Sequence, residues 1–250
     1  MMDKRLKTLS SGQSLVEYAF LLALVGLVAI LSLQLYGVAV WDMLARVTVV
    51  FGDAPEEDSD SVLYSEDFND GLGDWVSVNW GRRSSENWAT EGGRLVADRF
   101  AGIFLPGEEF DDFRYSVDDV DLTATDDRWQ GASLFFRADN GDGEDISGYS
   151  FRIQRPSEND PGRIYISEWA NGYQVSPWLE EVEAPPDFDW EGSYDIEVVA
   201  NGSRLEGYID GELVITAEDD TYNSGSVGLY THSGSSLTAE GLEVSSLGAN

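Results

Sequence analysis

The sequence divides into a long apolar segment near its start and a region of short alternating segments after it. No charged residue occurs between Tyr18 and Trp41, a run of 24 residues. A helix rises about 1.5 Å per residue, so this run would extend about 36 Å and could cross a hydrocarbon core of about 30 Å. Apolar positions keep helical spacing as far as Phe51, and Gly52 is a plausible terminator. The pattern therefore predicts one membrane-length helix over residues 13–52.

Residues 62–247 change to the two-residue alternation that is typical of strands. Three alternating segments between residues 194 and 217 are joined by Asn-Gly at 201–202 and by Asp-Gly at 210–211. These dipeptides are strong signals of hairpin turns. Further short segments are separated by Gly, Asp, Asn and Pro, which favours an antiparallel two-sheet jelly-roll sandwich. The predicted fold class is mainly β, with a long N-terminal α-helix before the sandwich.

Two polar segments flank the predicted helix. Residues 1–12 are short and basic, with Lys4, Arg5 and Lys7. They predict a leader that stays in the cytoplasm, because positive charge remains on that side of the membrane. Residues 53–61 are acidic and have no apolar periodicity, so they predict an extended linker. The domain that follows the linker would be exported.

Charge and cysteine content narrow the classes of function. The formal net charge is −32, and loss of residues 1–12, which carry a net charge of +2, would take it to −34. Nucleic acid is therefore not expected as a partner, since phosphate binding needs a basic surface. The chain has no cysteine, which rules out disulfides, thiolate metal sites and thiol nucleophiles.

The residues around the predicted leader resemble a known family. Gly12 is followed after four residues by Glu17 and Tyr18 and then by the apolar run. This arrangement resembles the Flp-type branch of the type IV pilins. The resemblance implies that a prepilin peptidase cuts after Gly12, that Gln13 becomes the first residue, and that Glu17 and Tyr18 act in filament assembly.

The resemblance to pilins also implies partners and a location. The precursor would lie in the cytoplasmic membrane, and the mature chain would join other pilin subunits in an extracellular filament. Flp-type pilins are usually little more than the helix, so the roughly 200 further residues leave open a major or a minor role in the filament. A plain signal anchor is the alternative interpretation of residues 1–52.

Residues 62–247 resemble a second family, the concanavalin A-like lectin and glucanase superfamily in its laminin-G-like branch. The resemblance covers nearly all of this region, and its motifs are mostly structural, so they imply the fold better than an activity. The matching segments are 66–71 with 74–75, 131–138 leading to 148–151, and 208–211 followed by 225–230.

Aromatic and arginine side chains are the candidates for ligand binding. Aromatic faces stack on the C–H surfaces of sugars, and a few polar groups fix the orientation of the ligand. Arginine can bind sugar hydroxyls or pair with acidic sugars. The alternative is a structural role, in which the aromatic residues belong to the core and the arginines pair with nearby carboxylates. The candidate residues are Trp80, Trp88, Arg137, Tyr149, Arg152 and Trp178.

Calcium is the one cofactor that the sequence suggests. Asp139, Asp142 and Asp145 place oxygen ligands close together among glycines, a composition that suits Ca²⁺. A solvated acidic loop is the alternative. The lectin-like resemblance implies another calcium site near Asp67, Asn69 and Glu240, but the Asp-Asn expected at the last position is here Glu240-Gly241.

Catalytic residues are not predicted. A retaining glycosidase needs two carboxylates about 5 to 5.5 Å apart, and Asp195 with Glu197 has suitable spacing, as do many pairs in so acidic a chain. The superfamily's catalytic Glu-x-Asp-x-x-Glu is absent, and His232 is the sole histidine. The two resemblances together imply a pilin-like filament subunit whose sandwich mediates adhesion or glycan binding. The alternatives are a membrane-anchored carbohydrate-active enzyme and a purely structural surface protein.

Overall fold

The computed structural model describes residues 60–78, 87–125, 128–139, 146–157 and 159–248, and its regular elements there are all β-strands. They are β1 (Val62–Glu66), β2 (Val76–Val78), β3 (Trp88–Glu91), β4 (Arg94–Asp98), β5 (Gly102–Phe104), β6 (Phe113–Ala124), β7 (Arg128–Asp139), β8 (Ser147–Ser157), β9 (Arg163–Ala170), β10 (Tyr173–Gln174), β11 (Glu180–Glu183), β12 (Ser193–Asn201), β13 (Arg204–Ile209), β14 (Glu212–Glu218), β15 (Ser226–Thr231), β16 (Ser235–Ala239) and β17 (Gly241–Ser246).

The predicted leader, the helix over 13–52 and most of the linker lie outside the described residues. Within the described ranges no helix is long and apolar enough to cross a membrane. The boundaries predicted for these N-terminal segments stay predictions.

The strands form two antiparallel sheets. Sheet A has the order β14-β13-β12-β6-β16-β4-β3, and β17 pairs with both β6 and β1. Sheet B has the order β10-β9-β8-β7-β15-β5-β2, with β11 also pairing with β9. The antiparallel two-sheet sandwich predicted from the alternating pattern is therefore confirmed.

The meander predicted between residues 194 and 217 forms β12, β13 and β14. Asn201 pairs with Arg204 and Ile209 pairs with Glu212, so each turn contains two residues. Gly202 and Gly211 have φ angles of +55° and +75°, which glycine adopts without steric cost. The second turn is the predicted Asp210-Gly211, whereas the first turn is Gly202-Ser203, one residue later than the predicted Asn201-Gly202.

Alternation along the strands separates a core face from an outer face. In β8, Tyr149, Phe151 and Ile153 point into the large apolar core between the sheets. The residues between them belong to the opposite face of sheet B, as the pairing of Ser150 with Ser167 on β9 illustrates. Because side chains alternate along a strand, sheet B presents a second row of side chains away from the core.

Candidate functional site

The outer face of sheet B carries a connected group of polar and aromatic side chains. We call it the Arg152 face. Its members are contributed by β7, β8, β9 and β15 and by the segments that follow β15 and β9. They are Ser133, Arg152, Gln154, Tyr165, Trp169, Gln174, Trp178, Tyr230 and His232.

Arg152 lies at the centre of this face. Its guanidinium carbon is 5.1 Å from the centroid of the Tyr165 ring and 5.8 Å from that of Trp169, so it interacts with two aromatic faces. Its Nη1 donates to Gln174 Oε1 at 3.2 Å, while Nε has no hydrogen-bond partner. Burial lowers the pKa of Arg152, yet the side chain remains partly exposed. It is a deeply set cation that a ligand can still reach.

His232 is buried beside Arg152. Gln154 Nε2 donates to His232 Nδ1 at 3.0 Å, because an amide nitrogen is only a donor. The ring proton is then on Nε2, which lies 3.0 Å from Ser133 Oγ and donates to it. Burial and the charge of Arg152 hold the pKa of His232 well below its usual range. The imidazole is therefore neutral in the folded protein.

Aromatic rings border Arg152. Trp178 stacks on Tyr165 with a centroid distance of 4.3 Å and an interplanar angle of 16°. Tyr230 contacts the His232 ring edge-on at 5.2 Å, and burial raises the pKa of Tyr230 to about 12. Trp178 and Tyr230 are partly exposed. The face thus combines accessible apolar rings with neutral hydrogen-bonding groups around one cation.

A sequence model described as the 3-keto-alpha-glucoside-1,2-lyase-like domain matches residues 64–240. The chain belongs to this family. The match begins inside β1 and does not extend to the predicted leader and helix, so the resemblance to pilins gains no support from it. No curated protein matches the sequence significantly.

Solved structures similar to the lyase-like domain include binding domains and enzymes. The carbohydrate-binding module CBM66 of Bacillus subtilis is 23% identical, with a TM-score of 0.49, over 68% of this chain and 95% of its own. The catalytic domain of an endo-1,3-β-glucanase from Thermotoga petrophila is 13% identical (TM-score 0.55; 77% and 99% covered). The carbohydrate recognition domain of Emp47p is 14% identical (TM-score 0.53; 78% and 99% covered). At these identities the glucanase and Emp47p show a shared fold alone.

The structure brings two of the predicted binding residues together in the lyase-like domain. Arg152 and Trp178 both contact Tyr165, since Trp178 stacks on its ring and the guanidinium lies 5.1 Å from the ring centroid. Trp80 lies outside the described residues. A binding role for Arg152 and Trp178 stays a prediction, now with a defined geometry.

The other three predicted binding residues do not reach the Arg152 face. Trp88 and Tyr149 pack in the core between the sheets. Arg137 is 1% exposed and is engaged by Asp112 and by backbone carbonyls. For Tyr149 the reason is strand alternation, which turns it and Arg152 to opposite faces of β8; Trp88 belongs to sheet A, and Arg137 lies where the β7–β8 register is irregular. A ligand on the Arg152 face would not touch these three side chains.

Gln154, Tyr165 and His232 belong to the Arg152 face but were not among the predicted site residues. Gln154 follows Arg152 at the two-residue period, and Tyr165 is the register partner of Arg152 on β9. Gln154 could have been found by extending the alternation of Arg152, whereas Tyr165 also requires the register between β8 and β9. His232 lies just beyond β15, and its position depends on tertiary structure.

The predicted calcium sites have no complete ligand group in the described part of the chain. No cluster of three or more His, Asp or Glu suited to a metal occurs there. Asp139 ends β7, while Asp142 and Asp145 lie outside the described residues. Asp67 and Glu240 line a cavity of about 550 Å³ with other acidic residues. Calcium binding stays a prediction.

The pair of carboxylates considered for glycoside hydrolysis lies on the other sheet. Asp195 and Glu197 belong to β12 of sheet A. Glu197 forms an ion pair with Arg114, and Asp195 accepts a hydrogen bond from the Asp119 backbone at 2.9 Å. Neither residue can act on a ligand at the Arg152 face.

The buried neutral His232 makes stability depend on pH. Its pKa is about 6.5 in the unfolded chain and well below that when folded, so protonation favours the unfolded state. The contribution of His232 to the free energy of unfolding should be constant above about pH 6.5. Below that pH it should fall by about 1.4 kcal/mol per pH unit, until the pH reaches the folded-state pKa. Urea unfolding of the wild type and of His232→Gln between pH 7.5 and 5 measures this.

The variant has no imidazole, so the stability difference between the two proteins isolates His232 from the many carboxylates. A difference that stays constant between pH 7.5 and 5 would show that His232 does not titrate in the expected way.

Proposed function

We propose that the lyase-like domain binds a carbohydrate on the Arg152 face. The observation that supports this most directly is the guanidinium of Arg152 set among accessible aromatic rings. Trp178 offers an apolar surface for the C–H face of a sugar ring. Arg152 and Gln174 offer hydrogen-bond donors for its oxygens. A mostly apolar site with a few convergent polar groups is the usual composition of a small-ligand site.

The fold alone does not distinguish carbohydrate binding from catalysis. The similar structures include a glucanase catalytic domain and a carbohydrate recognition domain, so the same sandwich serves both catalysis and binding. What distinguishes the two functions is the set of groups on the face. Among the described residues, no carboxylate is a hydrogen-bond or ion-pair partner of Arg152 or His232. Glu181 and Glu183 of β11 border the face as register partners of Tyr165 and Arg163, but Glu181 is engaged in an ion pair with Arg163. It is held by a cation instead of being available as one of two catalytic carboxylates.

Lyase activity is the second candidate, and the family match favours it. Elimination across C1 and C2 of a 3-keto-glucoside requires a base to remove the C2 proton, which the neighbouring ketone makes acidic, while the group on C1 leaves. The neutral His232 is the base that contacts Arg152. Both of its ring nitrogens are engaged, by Gln154 and by Ser133, so it would first have to release Gln154. Because breaking the hydrogen bond from Gln154 to His232 would cost free energy, we prefer binding without turnover.

A direct assay separates the two candidates. The purified domain is incubated with a 3-keto-α-glucoside that carries a chromogenic group at C1. Release of that group by the wild type and its loss in His232→Gln would establish the lyase. No release, together with measurable binding of a glycan, would favour the binding function.

The predicted contact with the ligand is tested at Trp178. We expect Trp178→Ala to weaken glycan binding at least tenfold, because a stacked aromatic residue at a binding site is often worth 2 kcal/mol or more (about 30-fold). A glycan array identifies a ligand, and isothermal titration calorimetry measures its affinity. Tyr208→Ala is the matched control, since Tyr208 is a partly exposed aromatic residue on β13 of sheet A. Equal affinities for wild type and Trp178→Ala would place the ligand elsewhere.

The predicted pilin-like role concerns Gly12, Gln13, Glu17 and Tyr18, which lie outside the described residues. It stays a prediction, compatible with a binding domain carried on a filament or on a membrane anchor. An array without any bound glycan would instead favour a purely structural surface protein.

A further inference from the structure

We propose that the carbohydrate recognised by the Arg152 face carries a carboxylate, as a uronic acid does. This inference rests on the proposed binding function and specifies its ligand. It follows from the charge balance of the face and from the donors that remain unused there.

Arg152 differs from the other arginines of the sandwich in its partners. The chain has 47 acidic residues, and five other arginines form close ion pairs with them: Arg94, Arg114, Arg137, Arg163 and Arg204. Arg152 has only the neutral partners Gln174 and His232 and two aromatic rings. In so acidic a protein, a deeply set guanidinium without a carboxylate partner is unusual. An anionic ligand could supply that partner.

Unused hydrogen-bond donors point the same way. Arg152 Nε is buried without a hydrogen-bond partner, whereas Gln174 interacts with the Tyr165 hydroxyl and its Oε1 accepts from Arg152 Nη1. Arg152 Nη2 has only contacts of 3.3 and 3.4 Å to the His232 ring. These two nitrogens of Arg152 lack an acceptor rather than a donor. A carboxylate supplies two oxygens with several lone pairs and can accept two parallel bonds from a guanidinium.

Arg155 provides the contrast on the same strand. It also lacks a carboxylate partner, but its Nε donates to Gln130 Oε1 at 2.8 Å, its Nη2 donates to the same oxygen, and it stacks on Trp190. Its Nε and Nη2 are thus both satisfied within the protein. Arg152 therefore stands out because both its charge and its Nε remain uncompensated.

The net charge of the protein limits how acidic the ligand can be. At −32 the chain repels polyanions at long range, whereas a deeply set contact with Arg152 acts over a few ångströms. One acidic sugar at the end of a neutral glycan would pair with Arg152 while being repelled less by the protein than a polyuronate. A neutral sugar would bond to the guanidinium through hydroxyls without balancing its charge.

Matched ligands test this inference. Neutral oligosaccharides that end in glucuronic or galacturonic acid are compared with the same compounds after reduction of the carboxyl group to an alcohol. Calorimetry at pH 7 should show at least tenfold tighter binding of the acidic form, since a charge-assisted hydrogen bond is worth about 10- to 100-fold. Arg152→Gln should remove the preference, and Arg152→Lys should keep part of it.

Arg204→Gln is the matched control. Arg204 lies on β13 of sheet A, its charge is balanced by Glu206, and its removal changes the net charge by the same amount. It should keep the wild-type preference for the acidic ligand. Melting temperatures of all variants establish that each is folded.

The outcomes separate this inference from the proposed function. Equal or tighter binding of the reduced glycans would overturn the acidic-ligand inference and leave carbohydrate binding intact. A preference for acid that survives in Arg152→Gln would also overturn it. If the wild type binds neither acidic nor neutral glycans, the proposed function and the inference fail together.

Discussion

Replacing Arg137 by methionine is expected to lower the free energy of unfolding by about 3 to 5 kcal/mol, because it removes several hydrogen bonds from a charged donor, each worth about 1.5 to 3 kcal/mol. The side chain is 1% exposed, and its Nε donates to Asp111 O at 2.8 Å. Its Nη1 donates to Gly202 O at 2.6 Å, and its Nη2 donates to Asp112 Oδ1 at 2.8 Å. Methionine would leave both carbonyls without this donor.

Urea unfolding at pH 7 measures the loss. Arg204→Met is the control, because Arg204 is 53% exposed and pairs with Glu206 at the surface, where an ion pair is worth about 0 to 1 kcal/mol. If Arg137→Met lost no more stability than the control, the hydrogen bonds from Arg137 to Asp111, Asp112 and Gly202 would not stabilise the fold.

Replacing Gly131 by alanine is expected to lower stability by at least about 3 kcal/mol or to prevent folding, because strain and overpacking add at this position. Gly131 has a φ of +132°, and an added Cβ would lie 1.9 Å from the carbonyl oxygen of Ile153 on the adjacent strand β8. Neither backbone can move freely, since Gly131 O also accepts from the His232 N–H at 3.1 Å.

Gly92→Ala separates the clash from the conformational cost. Gly92 also has a positive φ, +62°, but an added Cβ there would meet nothing within 4 Å. This variant should lose only about 1 kcal/mol. Soluble yield and thermal unfolding of both variants provide the measurement. Similar stabilities for the two variants would show that β7 and β8 can move apart at Gly131 without loss of stability.

Local signals predicted the parts of the fold that depend on neighbouring residues. The hairpins of β12, β13 and β14 follow from their turn dipeptides and from strand alternation. Trp88 is among the predicted binding residues and has polar neighbours, yet β3 joins sheet A and Trp88 packs in the core between the sheets. Such a burial depends on contacts between distant segments, which a polar local sequence does not reveal.

The candidate site was predictable in its components but not in its assembly. Alternation along β8 separates Tyr149 from Arg152, but it does not say which of the two faces the core. The positive φ of Arg137, +44°, has no sequence signal in a residue other than glycine. His232 reaches Arg152 only because β15 lies beside β7, which in turn pairs with β8.

The pairing of β1 with β17 brings the two ends of the sandwich side by side. Val62 is the register partner of Ser245, and the Ser61 and Ser246 hydroxyls are 2.7 Å apart. Chain ends that lie this close are what allow one domain to be inserted into a surface turn of another. Residues 61–246 could therefore be grafted into an exposed hairpin of an unrelated carrier, which would display the Arg152 face without stretching either junction.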